Sequence, residues 1–93
     1  MKAFANVWDA LSDDAEEAAS MSARSEVMSA ISDVVAGWNA TQAEAARRLG
    51  ITQPRLNDLL KGKIDKFSLD ALLTLARRAG LKVKIKIKIG VAA

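Results

Sequence analysis

The chain has 93 residues, of which 51% are hydrophobic, and a net charge of +3, and it contains neither cysteine nor histidine. Disulfides, thiolate and imidazole chemistry and nearly all transition-metal sites are therefore excluded, which disfavours most classes of enzyme and metalloprotein. No apolar run approaches the roughly 20 residues that span a bilayer. We expect a single cytoplasmic domain over residues 1–93, with no cofactor and no membrane contact.

The charged residues are unevenly distributed along the chain. Residues 1–38 contain two basic and seven acidic side chains, whereas residues 39–93 contain twelve basic and four acidic ones. A polyanion would therefore bind the second half, and a protein partner suits the acidic first half better. With only 4% aromatic residues, the chain is a poor candidate for binding single strands by base stacking.

An N-terminal helical segment is predicted over residues 1–38. Four apolar residues near the amino terminus have helical spacing and could pack on the protein body or on a partner. They are Phe4, Val7, Trp8 and Leu11. A separate helix is predicted to begin near Asp13, where acidic residues suit the positive end of the helix dipole, and to run to Trp38. The serine-rich stretch 20–25 could be a weak point in it.

Two short helices joined by a tight turn are predicted over residues 41–61. Thr41 is the N-cap of the first helix, and Glu44 three residues later completes a capping box. Gly50 ends this helix, where we expect a positive φ. Thr52 caps the second helix, and Pro54 falls in its first turn, where a missing N–H does no harm.

The apolar residues between Gln42 and Leu60 match two helices that cross at close range. Ala46 is small at the expected crossing point, and five further apolar residues occupy inward positions. These are Ala45, Leu49, Ile51, Leu56 and Leu59. The pattern indicates a helix-turn-helix.

The last predicted elements are a helix over residues 68–80, capped by Ser68 and ended by Gly80, and a strand over residues 81–89. Residues 82–89 alternate strictly between lysine and an apolar residue, so one face of the strand is apolar. The residues of that face, the predicted dimerisation contacts, are Val83, Ile85, Ile87 and Ile89. A single strand leaves its backbone groups unpaired, so we expect it to pair with the same strand of a second copy in a homodimer.

The outward face of the second short helix is the predicted reading surface for DNA. A helix of this size fits the major groove, where Gln or Asn pairs with adenine, Arg with guanine, and a carboxylate with the amino group of cytosine. The candidate base-reading residues are Thr52, Gln53, Arg55, Asn57 and Asp58. Because a carboxylate facing phosphates is unfavourable, Asp58 should either read a cytosine or orient Arg55.

A second group of residues is predicted to contact the DNA backbone. The amino end of the first short helix can offer N–H groups and short polar side chains to a phosphate, and lysines follow the reading helix as a basic rim. These residues are Thr41, Gln42, Lys61, Lys63 and Lys66. The arginines at positions 47, 48, 77 and 78 are more simply explained as solvated.

Residues 41–85 have the sequence TQAEAARRLGITQPRLNDLLKGKIDKFSLDALLTLARRAGLKVKI. This stretch resembles the phage-repressor-like, Xre-type helix-turn-helix family, and in particular its subgroup of HigA-like antitoxins. The resemblance implies a mainly α, five-helix domain, here with the C-terminal β-strand pairing across a dimer. It also implies a dimeric repressor that binds a palindromic operator in double-stranded DNA, often that of its own operon. The subgroup further implies a RelE-like ribonuclease toxin as partner. The alternative is a phage- or plasmid-type operon regulator without a toxin.

Overall fold

The computed structural model describes the backbone of residues 2–85 and the side chains of residues 15–85. Within that part of the chain there are four α-helices and one 3₁₀ turn. The helices are α1 (Lys2–Gly37), α2 (Gln42–Leu49), α3 (Gln53–Leu60) and α4 (Leu69–Arg78), and the 3₁₀ turn (Ile64–Lys66) lies between α3 and α4. None of the described helices is long and apolar enough to cross a membrane.

Helix α1 is one continuous helix of 36 residues, so the predicted separate segment before Asp13 is wrong. The sequence contains no proline or glycine between Lys2 and Ala36, and acidic or serine side chains alone are too weakly unfavourable to end a helix. At 1.5 Å per residue α1 is about 54 Å long, which matches the 55 Å longest dimension of the molecule. Its second half packs on the other helices through Met28 and Ile31, whereas residues 16–22 are exposed.

A single apolar core joins the four helices. Helix α1 packs mainly on α4, and α2 packs on α3. The buried residues are Met28, Ile31, Ala45, Ala46, Leu49, Leu56, Leu59, Phe67, Leu72, Leu75 and Ala76. No polar or charged residue among those described is buried, so the core behind α3 is formed by apolar packing.

The predicted N-caps of the three short helices are confirmed. The hydroxyl oxygen of Thr41 accepts a hydrogen bond from the Glu44 N–H at 3.1 Å, and the same arrangement recurs at Thr52 (3.3 Å) and Ser68 (3.1 Å). Pro54 lies in the first turn of α3, as predicted. These bonds satisfy one N–H at the start of each helix and fix where it begins.

The predicted C-terminal strand is contradicted over the residues that the structure describes. Residues 81–85 form no ladder with any described segment, and the Val83 and Ile85 side chains are 45% and 71% exposed. The described fold is all-helical with four α-helices, so the expectation of five helices with a strand pairing across a dimer is wrong. Alternation sets two faces, but a strand also needs a neighbour for its backbone groups, and here the chain lies beside helices. Ile87 and Ile89 lie outside the described residues.

Candidate nucleic-acid interface

The turn between α2 and α3 has the predicted geometry. Gly50 has φ +69°, and its N–H donates to the carbonyls of Ala46 and Arg47. The Ile51 N–H donates to Ala46 O at 2.9 Å. Because this left-handed conformation strongly favours glycine, Gly50 allows the chain to turn sharply and sets α3 across α2.

Arg78, at the end of α4, holds this turn from outside. Its Nη1 donates to Leu49 O at 3.0 Å, and a Cβ added at Gly50 would lie 2.9 Å from the same nitrogen. The guanidinium therefore satisfies a carbonyl that α2 leaves unpaired at its C-terminus. The sequence by itself predicts a solvated Arg78, because no local pattern shows that α4 ends beside α2.

The back of α3 is anchored by two leucines. Leu56 and Leu59 are 0% and 1% exposed and pack in the core with Ala46 and Leu49. Leu60, one residue further on, is 38% exposed and lies at the edge of a groove against α1. Apolar packing thus covers only one side of α3 and leaves its other side to polar residues.

Polar side chains that a partner could reach lie at the amino end and in the middle of α3. Thr52 and Gln53 are exposed, and Asn57 is partly exposed. Gln53 and Asn57 are four residues apart and so lie on neighbouring positions of one face. Their amide groups can each donate and accept, which is the chemistry that recognises the edge of adenine in the major groove.

The Arg55 side chain folds back onto the protein. Its guanidinium carbon lies 4.3 Å from the centroid of the Phe67 ring, and Nη1 donates to Lys66 O at 3.3 Å. Phe67 is itself 1% exposed, so the arginine covers a fixed apolar surface. In this position Arg55 links α3 to the loop after it rather than projecting towards a partner.

Asp58 pairs with two of the predicted backbone-contacting lysines. Its carboxylate lies 3.3 Å from the Lys63 Nζ and 3.9 Å from the Lys66 Nζ. Among the described residues there is no ion pair between Asp58 and Arg55. The Asp58 side chain is 22% exposed against 47% and 58% for the lysines, so the ammonium groups remain accessible while the carboxylate is mostly covered.

The remaining predicted contacts lie at the ends of α2 and α3. Thr41 and Gln42 are exposed at the start of α2, where the first N–H groups of the helix point outward. Lys61 is exposed at the C-cap of α3. The helix-turn-helix therefore brings together the exposed amino end of α2, the polar face of α3 and the lysines that follow it.

Comparisons with known proteins agree with this geometry. A family model described as a helix-turn-helix domain matches residues 10–88. A solved structure described as an XRE family transcriptional regulator is similar over 83% of this chain and 86% of its own, with 30% identity and a TM-score of 0.74. A search of curated proteins gives no match. The Xre-type prediction is thereby confirmed, and the HigA-like subgroup stays a prediction.

Proposed function

The chain belongs to the Xre-type helix-turn-helix family, and we propose that it is a transcriptional repressor that binds a specific sequence in double-stranded DNA. Helix α3 enters the major groove, and the amino end of α2 lies against the adjoining phosphates. Repression follows because the bound protein blocks access of RNA polymerase to the promoter.

The observation that carries the proposal is the division of α3 into two faces. Leu56 and Leu59 are buried, while Gln53 and Asn57 keep amide groups free of any described side-chain hydrogen bond. Rigid support from behind reduces the entropy lost when these side chains bind base edges. We assign base reading to Gln53 and Asn57, with Thr52 beside them.

The surrounding residues hold the helix in register on the duplex. Thr41, Gln42 and Lys61 bind phosphates directly, and Lys63 and Lys66 extend the same basic rim. Arg55 and Asp58 act from within the protein, because one is bound to Phe67 and the other to the two lysines.

We further propose that the repressor acts as a homodimer on a palindromic operator. The eight-residue α3 can reach only a few base pairs, and two copies related by a two-fold axis would place their reading helices one helical turn, or about 34 Å, apart. Because the described residues 81–85 form no strand, this proposal assigns the dimer contact to no strand pairing there. Light scattering on the free protein and footprinting of the bound DNA test the two parts of this proposal.

Titration of the protein against its own upstream region tests the reading surface. The Gln53→Ala variant should lose affinity for the operator but not for an unrelated duplex, because a base contact is lost. Lys63→Ala should weaken binding to both duplexes. It should also reduce the slope of log K against log salt concentration by about one unit. Lys82→Ala is the matched control, since it removes the same charge from an exposed site away from α3. Operator binding by Gln53→Ala equal to wild type would show that another surface reads the DNA.

We also propose that the protein is the autoregulating antitoxin of a toxin–antitoxin operon. The resemblance to HigA-like antitoxins supports this role, and so does the acidic first half, in which Glu16 and Glu17 lie exposed on α1. A basic, RelE-like ribonuclease would be the partner. An adjacent gene for a small basic protein, and copurification of the two products, are the expected results. If the neighbouring products do not associate, the protein is a phage- or plasmid-type operon regulator instead.

A further inference from the structure

The loop that follows α3, residues 62–67, is held by side chains from two distant parts of the chain. Arg24, in the middle of α1, donates from Nη1 to Ile64 O at 3.2 Å and to Phe67 O at 3.3 Å. Arg55 donates to Lys66 O, which lies between them in the chain, at 3.3 Å. Two guanidinium groups therefore bind three carbonyls of one short loop.

The Arg24 side chain is itself held in place along α1. Its Nε donates to Ser20 O, one helical turn earlier, at 3.3 Å, so the planar guanidinium is fixed at one edge and presents Nη1 to the loop. Arginine suits this task because its donors have a rigid arrangement that a lysine cannot reproduce. The bonds to the loop are partly buried and join residues 40 and 43 positions apart in sequence, so α1 fixes the loop directly.

The same loop carries Lys63 and Lys66. Both side chains are about half exposed, and both approach the Asp58 carboxylate of α3. The backbone of the loop is thus set by Arg24 and Arg55, while its ammonium groups are gathered beside α3. A lysine that starts from a fixed backbone loses less conformational entropy when it binds a phosphate.

We propose that Arg24 is a positioning residue for DNA binding, which holds the 62–67 loop so that Lys63 and Lys66 meet the phosphates beside the reading helix. This inference rests on the proposed function. Arg24 touches no nucleic acid in this role, because its Nε and Nη1 donors are bound to carbonyls of the protein. It acts through the two lysines, and its loss should lower the affinity for every DNA sequence alike.

The first test compares Arg24→Met with Arg77→Met. Both variants remove one positive charge, but Arg77 is exposed on α4 and makes no described side-chain hydrogen bond. Fluorescence anisotropy with the operator and with an unrelated duplex should show that Arg24→Met binds both about fivefold more weakly than Arg77→Met does. The salt dependence should be shallower by about one unit. Equal affinities for the two variants would overturn the proposal.

Two further variants separate positioning from folding and from charge. Arg24→Lys keeps the charge and the fold but lacks the rigid set of donors, so it should bind DNA nearly as weakly as Arg24→Met. In a Lys63→Ala, Lys66→Ala background, Arg24→Met should cause no further loss. A loss as large as in the wild-type background would show that Arg24 acts on overall structure and not through the lysines. Circular dichroism establishes that each variant is folded at the temperature of the titration.

Hydrogen exchange on the free protein distinguishes failure of this inference from failure of the proposed function. The amides of Lys66 and Phe67, which donate within the loop to the Lys63 and Ile64 carbonyls, should exchange faster in Arg24→Met. If the wild-type protein binds no duplex, the proposed function fails, and the positioning role fails with it. If wild type binds DNA and neither exchange nor affinity changes in the variant, only the role of Arg24 is refuted.

Discussion

Replacement of Asp58 by asparagine separates two roles that its position on α3 allows. Asp58→Asn keeps the size and polarity of the side chain but removes the negative charge that approaches Lys63 at 3.3 Å and Lys66 at 3.9 Å. The net charge rises from +3 by one unit. The two ammonium groups then have no carboxylate partner on α3 and are free to bind phosphates.

The expected gain follows from the exposure of the pair. Unit charges 4 Å apart attract by about 1 kcal/mol in bulk water and about 4 kcal/mol at an effective dielectric constant of 20. The lysine side chains are 47% and 58% exposed, so the lower value applies, as measured for exposed ion pairs at about 0.2–1 kcal/mol. We therefore expect Asp58→Asn to bind DNA up to about fivefold more tightly, with a salt dependence steeper by about one unit.

The assay is a titration of the wild-type and Asp58→Asn proteins against the operator and an unrelated duplex at several salt concentrations. Both duplexes should gain affinity by a similar factor, because phosphates are common to them. If Asp58 instead reads a cytosine, Asp58→Asn should lose roughly 1–3 kcal/mol of binding free energy for the operator and none for the unrelated duplex. Weaker operator binding with unchanged binding to the unrelated duplex would therefore refute the assignment of Asp58 to the lysines.

Three further predictions concern stability, each measured by urea denaturation. Gly50→Ala should lower the free energy of unfolding by about 2 kcal/mol, because φ is +69° and the new Cβ would lie 2.9 Å from the Arg78 Nη1. Leu56→Ala should lower the free energy of unfolding by about 2–5 kcal/mol, since the leucine side chain is 0% exposed and its truncation leaves a cavity behind α3. Gly37→Ala should stabilise α1 by roughly 0.5–1 kcal/mol, because nothing lies within 4 Å of the added Cβ.

Gly62→Ala is the matched control for Gly50. The φ of Gly62 is +73°, but nothing lies within 4 Å of an added Cβ. Gly62→Ala should therefore lower the free energy of unfolding by less than Gly50→Ala does. Equal costs would mean that the guanidinium of Arg78 moves aside without loss. A Leu56→Ala variant as stable as Leu60→Ala, whose leucine is 38% exposed, would contradict the packing of α3. A loss of stability in Gly37→Ala would indicate a constraint at the end of α1.

The reading surface was only partly accessible from the sequence. Helical periodicity placed Asn57 and Asp58 away from the buried leucines and Gln53 and Arg55 on the flanks of α3, and the structure has Gln53 exposed and Asn57 partly exposed. The same periodicity could not give the conformations of the Arg55 and Asp58 side chains. Arg55 instead reaches Phe67, and Asp58 reaches Lys63. Both partners belong to the loop after α3, whose path depends on the packing of α4.

The sequence alone determined where α2, α3 and α4 begin and the turn at Gly50, because caps and a left-handed glycine act through bonds within a few residues. It did not determine whether the alternating residues after Leu81 form a strand, since a strand depends on a neighbour that alternation cannot supply. Only the tertiary structure brought Arg24 to Ile64 and Arg78 to Leu49, across 40 and 29 positions. Such contacts depend on where whole helices pack, and no local pattern records that.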